Sequence, residues 1–338
     1  MAQLRFHFGE RDRCREGPLH AAVMDLCARR GVRAAALLRG VEGFGAKHRV
    51  RTDRLLSLSE DAPLVAVAVG DDAMVQALAD EVREMAGEGL VVVEGVEVVG
   101  HGTAGPAATS ARMTAGPAVG APGDGGGEEV VKATIWGPRT GPSSPHLEAV
   151  AAMKRHGAQA ATVLLGVDGV LDGERRRARF VAGNRDVPGM TVAIGTRDAI
   201  DAAVAEIDGA AHLVTVEAVE TYRRIATVSL HGAPARRVTM VTSEIATSGG
   251  HPRYVELIHS LRREGAAGAT ALRGVWGFRG DGEPGGDRVL ALRRDVPMVV
   301  EAIDVGERAA RWLEEAGSVA GEEDVVYSQK IQRILTLE

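Results

Sequence analysis

Two stretches of the chain carry residue types suited to holding an anion beside a flat ring: "LRGVEGFG" at Leu38–Gly45 and "LRGVWGFRG" at Leu272–Gly280. Arg39 and Arg273 can present a planar fork to a carboxylate or phosphate. Gly40, Gly43 and Gly45, like Gly274 and Gly277, let the backbone turn sharply and approach a ligand closely. Phe44 and Phe278 can cover a nucleobase, and Trp276, standing where the first copy has Glu42, widens that aromatic surface. The same residues also fit a plain strand-to-loop turn whose Arg pairs with a surface carboxylate. Between them lies "LLGVDGVLDG" at Leu164–Gly173, a third copy with Leu165 for the Arg and Val170 for the Phe. The loops that follow are basic in the first two copies (Lys47, Arg49 and Arg51; Arg175, Arg176 and Arg177) and acidic in the third, "GDGEPGGDR". They read either as a docking surface for an acidic partner or anionic membrane face, or as solvated charged loops.

Other chemistries find little support. There is no GxSxG, HExxH or Walker loop, so no enzyme is expected. The 10 histidines do not cluster, and Cys14 and Cys27 make no ligand spacing, so neither a metal site nor a disulfide framework is expected. A net charge of −6 argues against nucleic acid as a partner. No apolar run reaches the ~20 residues of a membrane span. Charges stand where a signal peptide would be apolar, in "MAQLRFHFGERDR". A cytoplasmic protein is the expectation.

The elements that must position the octets repeat with them. Upstream of Gly40, Gly166 and Gly274, at one shared distance, stand Gly31, Gly157 and Gly265, and before those Pro18, Pro145 and Pro252. Downstream come Asp61-Ala62-Pro63, Asp186-Val187-Pro188 and Asp295-Val296-Pro297. Each unit reads as a strand ("LRFHF", "VKATIW", "VTMVT"), a Pro-led helix stopped by Gly, a strand running into the octet, a strand after the Pro, a second helix and a last strand. The last strands are "LVVVEGVEVV", "LVTVEAVETY" and "DVVYSQKIQRI". The order βαββαβ predicts an α+β chain of three tandem ferredoxin-like domains. The domains fall at 1–99, 130–220 (the degenerate copy) and 238–338. A Gly/Ala/Pro linker over 100–129, with a span of about 30 Å if flexible, and a shorter one over 221–237 join them. "IATVSL" in the second linker reads as an edge strand or an extended connection.

With those landmarks in place, "GVRAAALLRGVEGFG" followed by "RTDRLLSLSEDAPLVAVAV" resembles the bacterial family of domain of unknown function 190, whose members are PII-like. The resemblance covers all three units and is sharpest in the first and third. It implies ligand clefts between neighbouring subunits of a trimer, with Arg39, Gly40, Glu42, Gly43, Phe44, Gly45, Arg273, Gly274, Trp276, Gly277 and Phe278 beside them. Three units in one chain then imply a covalent pseudo-trimer, with association between chains as the alternative. A ligand-sensing or regulatory role follows, with an adenine nucleotide as a possible ligand. The segments in place of the PII phosphate loop, "MAGEGLVV", "GAAHLVT" and "AGSVAGEEDVV", lack Lys and carry acids, which argues against a triphosphate held in the PII manner. A ligand-free scaffold is the rival reading, its client a protein such as a membrane transporter, since some relatives are encoded beside fluoride channels.

Overall fold

A computed structural model of the chain describes all residues except 46–49, 53–60, 102–127, 140–143, 179–185, 208, 210, 223–234, 287–294 and 338. The linker and "IATVSL" lie largely or wholly outside the described residues. Pro18 and Pro252 hold the extended residue before α1 (Leu19–Arg30) and α5 (Arg253–Arg263), while Pro145 opens α3 (Pro145–Arg155). Proline suits these positions because it has no N–H to leave unpaired. The glycines that follow, Gly31, Gly157 and Gly265, take left-handed φ values of 67°, 80° and 82°, which a side chain would resist.

Each repeat builds a four-stranded antiparallel sheet in the order last, first, third, second. In the first repeat these are Gly89–Gly95, Ala2–Gly9, Pro63–Gly70 and Ala34–Phe44. In the second they are Leu213–Ala218, Val130–Pro138, Pro188–Thr196 and Ala160–Leu165. In the third they are Val325–Lys330, Arg236–Ser243, Pro297–Asp304 and Ala269–Arg273. The second helices are α2 (Asp72–Met85), α4 (Arg197–Glu206) and α6 (Gly306–Val319). One sheet face packs on its two helices and forms that repeat's own core, with Leu4, Val23 and Leu78 among the buried residues of the first. The other faces of all three sheets meet in a shared core containing Val67, Trp136, Leu213, Leu272 and Tyr327.

Every sheet is extended by its neighbours. The second half of the first octet strand pairs with Ala269–Arg273 of the third repeat. Asp168–Leu171 of the second octet pairs with the first repeat, and Trp276–Arg279 of the third pairs with the second. The register is the same at each junction: Gly43 opposite Thr270, Gly169 opposite Ala36, Gly277 opposite Thr162. The far edges close in the opposite sense. Glu97–His101 joins the last strand of the second repeat, Glu220–Thr221 that of the third, and Arg333–Leu337 that of the first. The three repeats therefore form a closed ring of strand pairings within one chain.

This closure revises three details of the sequence reading. The three last strands each divide in two, at Val96, Val219 and Ile331, where a buried apolar residue marks the crossing to the next repeat. The strand ending at His101 runs two residues into the stretch read as linker. At the other junction Thr221 closes one strand, and Arg236 and Arg237 already belong to the next.

Candidate functional site

The octet glycines are explained by the junctions. A Cβ on Gly43 would stand 2.7 Å from the Ala269 carbonyl, and one on Gly169 or Gly277 would collide with the carbonyl of Ala35 or Ala161. Gly40 lies against Pro63 and Thr270, Gly274 against Thr162 and the Pro297 carbonyl, and Gly166 against the Pro188 carbonyl. These contacts tie the octets to the Asp-x-Pro landmark. Gly45 meets nothing within 4 Å.

The aromatic residues depart from the sequence reading. Phe44 is buried in the helix–sheet core of the third repeat, and Phe278 in that of the second, where the Lys154 ammonium lies 5.1 Å from its ring centre. Val170 occupies the same place in the core of the first repeat. Each octet thus plugs its neighbour's core, and neither Phe ring offers a face to a ligand. Trp276 is half-buried against the same core as Phe278, with Gly286 close over its ring.

Arg39 and Arg273 are the last residues of the second strands to pair with their own repeat's third strand. Their side chains bond within the repeat, Arg39 with Glu10 at 3.0 Å and Arg273 with both oxygens of Glu244 at 2.8 and 2.9 Å. Their side chains remain 38% and 22% exposed. The equivalent residues of the second repeat are Leu165 and Arg139, so the degenerate copy has lost both members of the pair. Glu10, Arg139 and Glu244 are matched by the same backbone bond, to Ala62, Val187 and Val296.

The residue two before Phe44, Val170 and Phe278 differs at each junction. Glu42 is buried and takes the His259 imidazole of α5 at 3.2 Å. Asp168 is buried and bonded to Arg175, which also reaches Asp25 and the Ala21 carbonyl on α1. Arg175 is therefore an internal clamp between repeats rather than a free loop cation, and the Asp168 carboxylate holds its guanidinium above the usual arginine range. Arg177 stays exposed, 3.8 Å from Asp168, and Arg176 pairs with Glu174 at the surface. The backbone of Arg51 pairs with Gly43, whereas Lys47 and Arg49 lie outside the described residues. Among the described residues, no group of three His, Cys, Asp or Glu could hold a metal ion.

One constellation escaped the sequence reading. Along the inward sheet faces, each repeat contributes one buried cation and one buried carboxylate: Arg5 and Glu94, Lys132 and Glu217, Arg237 and Glu301. Arg5 donates to Glu301 at 2.6 and 2.7 Å. Arg237 forks onto Glu94 at 2.9 and 3.0 Å and reaches Glu301 at 2.8 Å. Lys132 donates to Glu217 at 2.8 Å and to Gln329 at 3.2 Å. Burial pushes the Glu301 carboxyl up, but Arg5 and Arg237 outweigh it and hold it at about 2. Burial lowers His7, beside this cluster, to about 4, and raises the Tyr327 phenol to about 12. The available signal was a charge at alternate positions in otherwise apolar strands, as in "LRFHF" and "MVVEAI".

Fold and junctions define a class: three α+β repeats interlocked by strand exchange in one chain. The chain belongs to the family of domain of unknown function 190, described as uncharacterized ACR, COG1993, whose model matches residues 1–98, 139–221 and 235–333. It is similar to the UPF0166 protein of Aquifex aeolicus (strain VF5), 36% identical over 74 residues, which span 22% of this chain and 70% of that one.

Proposed function

We propose that the chain is a non-catalytic regulatory protein of the PII-like kind, a covalent pseudo-trimer of ferredoxin-like units. In this reading it takes a small anionic molecule, an adenine nucleotide among the candidates, at its junctions and signals through the loops that leave the octets. The strand order, with both helices on one face, supports the ferredoxin-like reading. The observation that carries the regulatory reading is the placing of Arg39 and Arg273 where the chain crosses to the next repeat, one short strand segment before the loop. Each pairs with a partly exposed glutamate, and such a surface pair contributes about 0–1 kcal/mol. A carboxylate or phosphate can take the guanidinium from Glu10 or Glu244 at little cost, and the exchange would be felt at the base of the loop.

A ligand-free scaffold, with a membrane transporter such as a fluoride channel as its client, is the second reading. It is favoured by the octets having a structural explanation in their glycines and buried Phe rings. Thermal-shift measurements against mono-, di- and triphosphate and cyclic adenine nucleotides, dicarboxylates and fluoride separate the two. The regulatory reading expects a saturable rise in Tm that the Arg39→Ala/Arg273→Ala variant loses. No shift with any of them favours the scaffold.

A further inference from the structure

The inward polar layer is bonded directly on two of its three sides. Arg5–Glu301, Arg237–Glu94 and the contact of His7 with Thr270 at 3.4 Å join the first repeat to the third. Gln329 joins the third to the second through Lys132 and Glu217. Among the described residues, no inward-facing side chain of the first repeat bonds to one of the second.

The unpartnered buried polar atoms of this layer fall on those two repeats and, at Thr239, on the third, and strand register sorts them into three levels. At the first level stand Gln3 Oε1 and Glu217 Oε1, on strands where Gln3 pairs with Glu94 and Lys132 with Glu217. At the second stand Arg5 Nε and the hydroxyls of Thr162, Thr215 and Thr239; Thr239, like the Thr134 that faces Thr215, holds the place of Arg5. At the third stand His7 Nε2 and Trp136 Nε1, again equivalent positions. Gln3, Arg5, Trp136, Thr162, Thr215 and Glu217 are all more than nine-tenths buried.

We propose that ordered water molecules, enclosed on the ring's inner face, bridge the repeats at these levels, joining the first to the second through Gln3 and Glu217. The chemistry of the first level requires a bridge. Gln3 already donates its amide to Glu94, so two acceptors face that level, and a water can donate to both. At the other levels a water can accept from Arg5 or Trp136 and donate onward. Charge decides the class of guest. Arg5, Lys132 and Arg237 balance Glu94, Glu217 and Glu301, and burial keeps His7 neutral down to about pH 4, so no net charge is left to hold an ion. An anionic ligand accordingly belongs at the outer junctions and not on this inner face.

Thr162→Val and Thr215→Val in the full chain test the sign. Removing a hydroxyl that bonds to water lowers Tm, whereas replacing a dry, unpaired hydroxyl by a methyl raises it. A fall in both variants is expected, and a rise or no change overturns the proposal. Should either variant fail to fold, a crystal structure of the native chain at high resolution decides independently. Water within hydrogen-bonding distance of residues from two repeats is expected. Dry contacts, or an ion revealed by anomalous scattering after bromide soaking, overturn the proposal.

Discussion

Phe44 is the residue on which the two readings of the octet diverge most. A ring that covered a ligand would matter to binding alone, whereas this one is buried among Leu257, Met298 and Trp312 of a repeat more than 200 residues away in sequence. Phe44→Ala should therefore cost about 3–5 kcal/mol, as large core truncations do, read as a fall in the denaturant midpoint without any ligand present. Unchanged stability would return the ring to the binding surface. His7 and His146 make a second prediction. Burial lowers both to about 4 from 6.5, so between those pH values the unfolded chain binds protons that the folded one does not. Stability must fall as pH drops through that window, by on the order of 3 kcal/mol for each. Below it, Glu301, held at about 2 against 4.5, gives up its contribution as it protonates. His146 bonds to Thr191 and the Gly137 carbonyl, which Gln can also reach. His146→Gln should flatten the slope of Tm against pH from 6.5 to 4, and an unaltered slope would count against this assignment.

At the scale of elements, strand partners were less legible than the strands themselves. Pro18, Gly31 and their counterparts marked helix starts and stops because those residue types answer local backbone needs. Nothing in "LRGVEGFG" reveals which sheet it joins, since alternation along a strand is the same whether the next strand belongs to its own repeat or another. For the same reason "LRFHF" reads as a strand without showing what covers Arg5 and His7. They are buried because other repeats supply the second layer. The loss of Arg at Leu165 was legible as wear, but its cause needed the structure, which sets Arg139 where the other copies have Glu10 and Glu244. Leu165→Arg alone should lower Tm by like-charge repulsion. Adding Arg139→Glu should restore it to within about 1 kcal/mol of the native value, and additive effects in the double variant would disprove the pairing. The tail strands give a further test. Deleting residues 331–338 strips Arg333–Leu337 from Gly89–Gly95 and Leu337 from the first core. Hydrogen exchange should quicken at Gly89–Gly95, and the bared edge should promote self-association. Native exchange rates there would show that the tail contributes little.

For the whole molecule, closure means that each repeat completes its neighbours and is completed by them. A cycle of this kind has no privileged first member, so the order of repeats along the gene is separable from their order in space. Met1 bonds to Val96 at one end of the strand Gly89–Gly95, and Leu337 stands opposite Gly89 at the other. The two chain ends are therefore about 20 Å apart. A Gly/Ser segment of about ten residues should join them, with new ends opened inside 102–127. That permuted chain, reading second, third, first, is expected to fold with the native circular dichroism spectrum and within a few degrees of the native Tm. If it did not, the order of synthesis, and not the cycle of pairings, would be what specifies the fold.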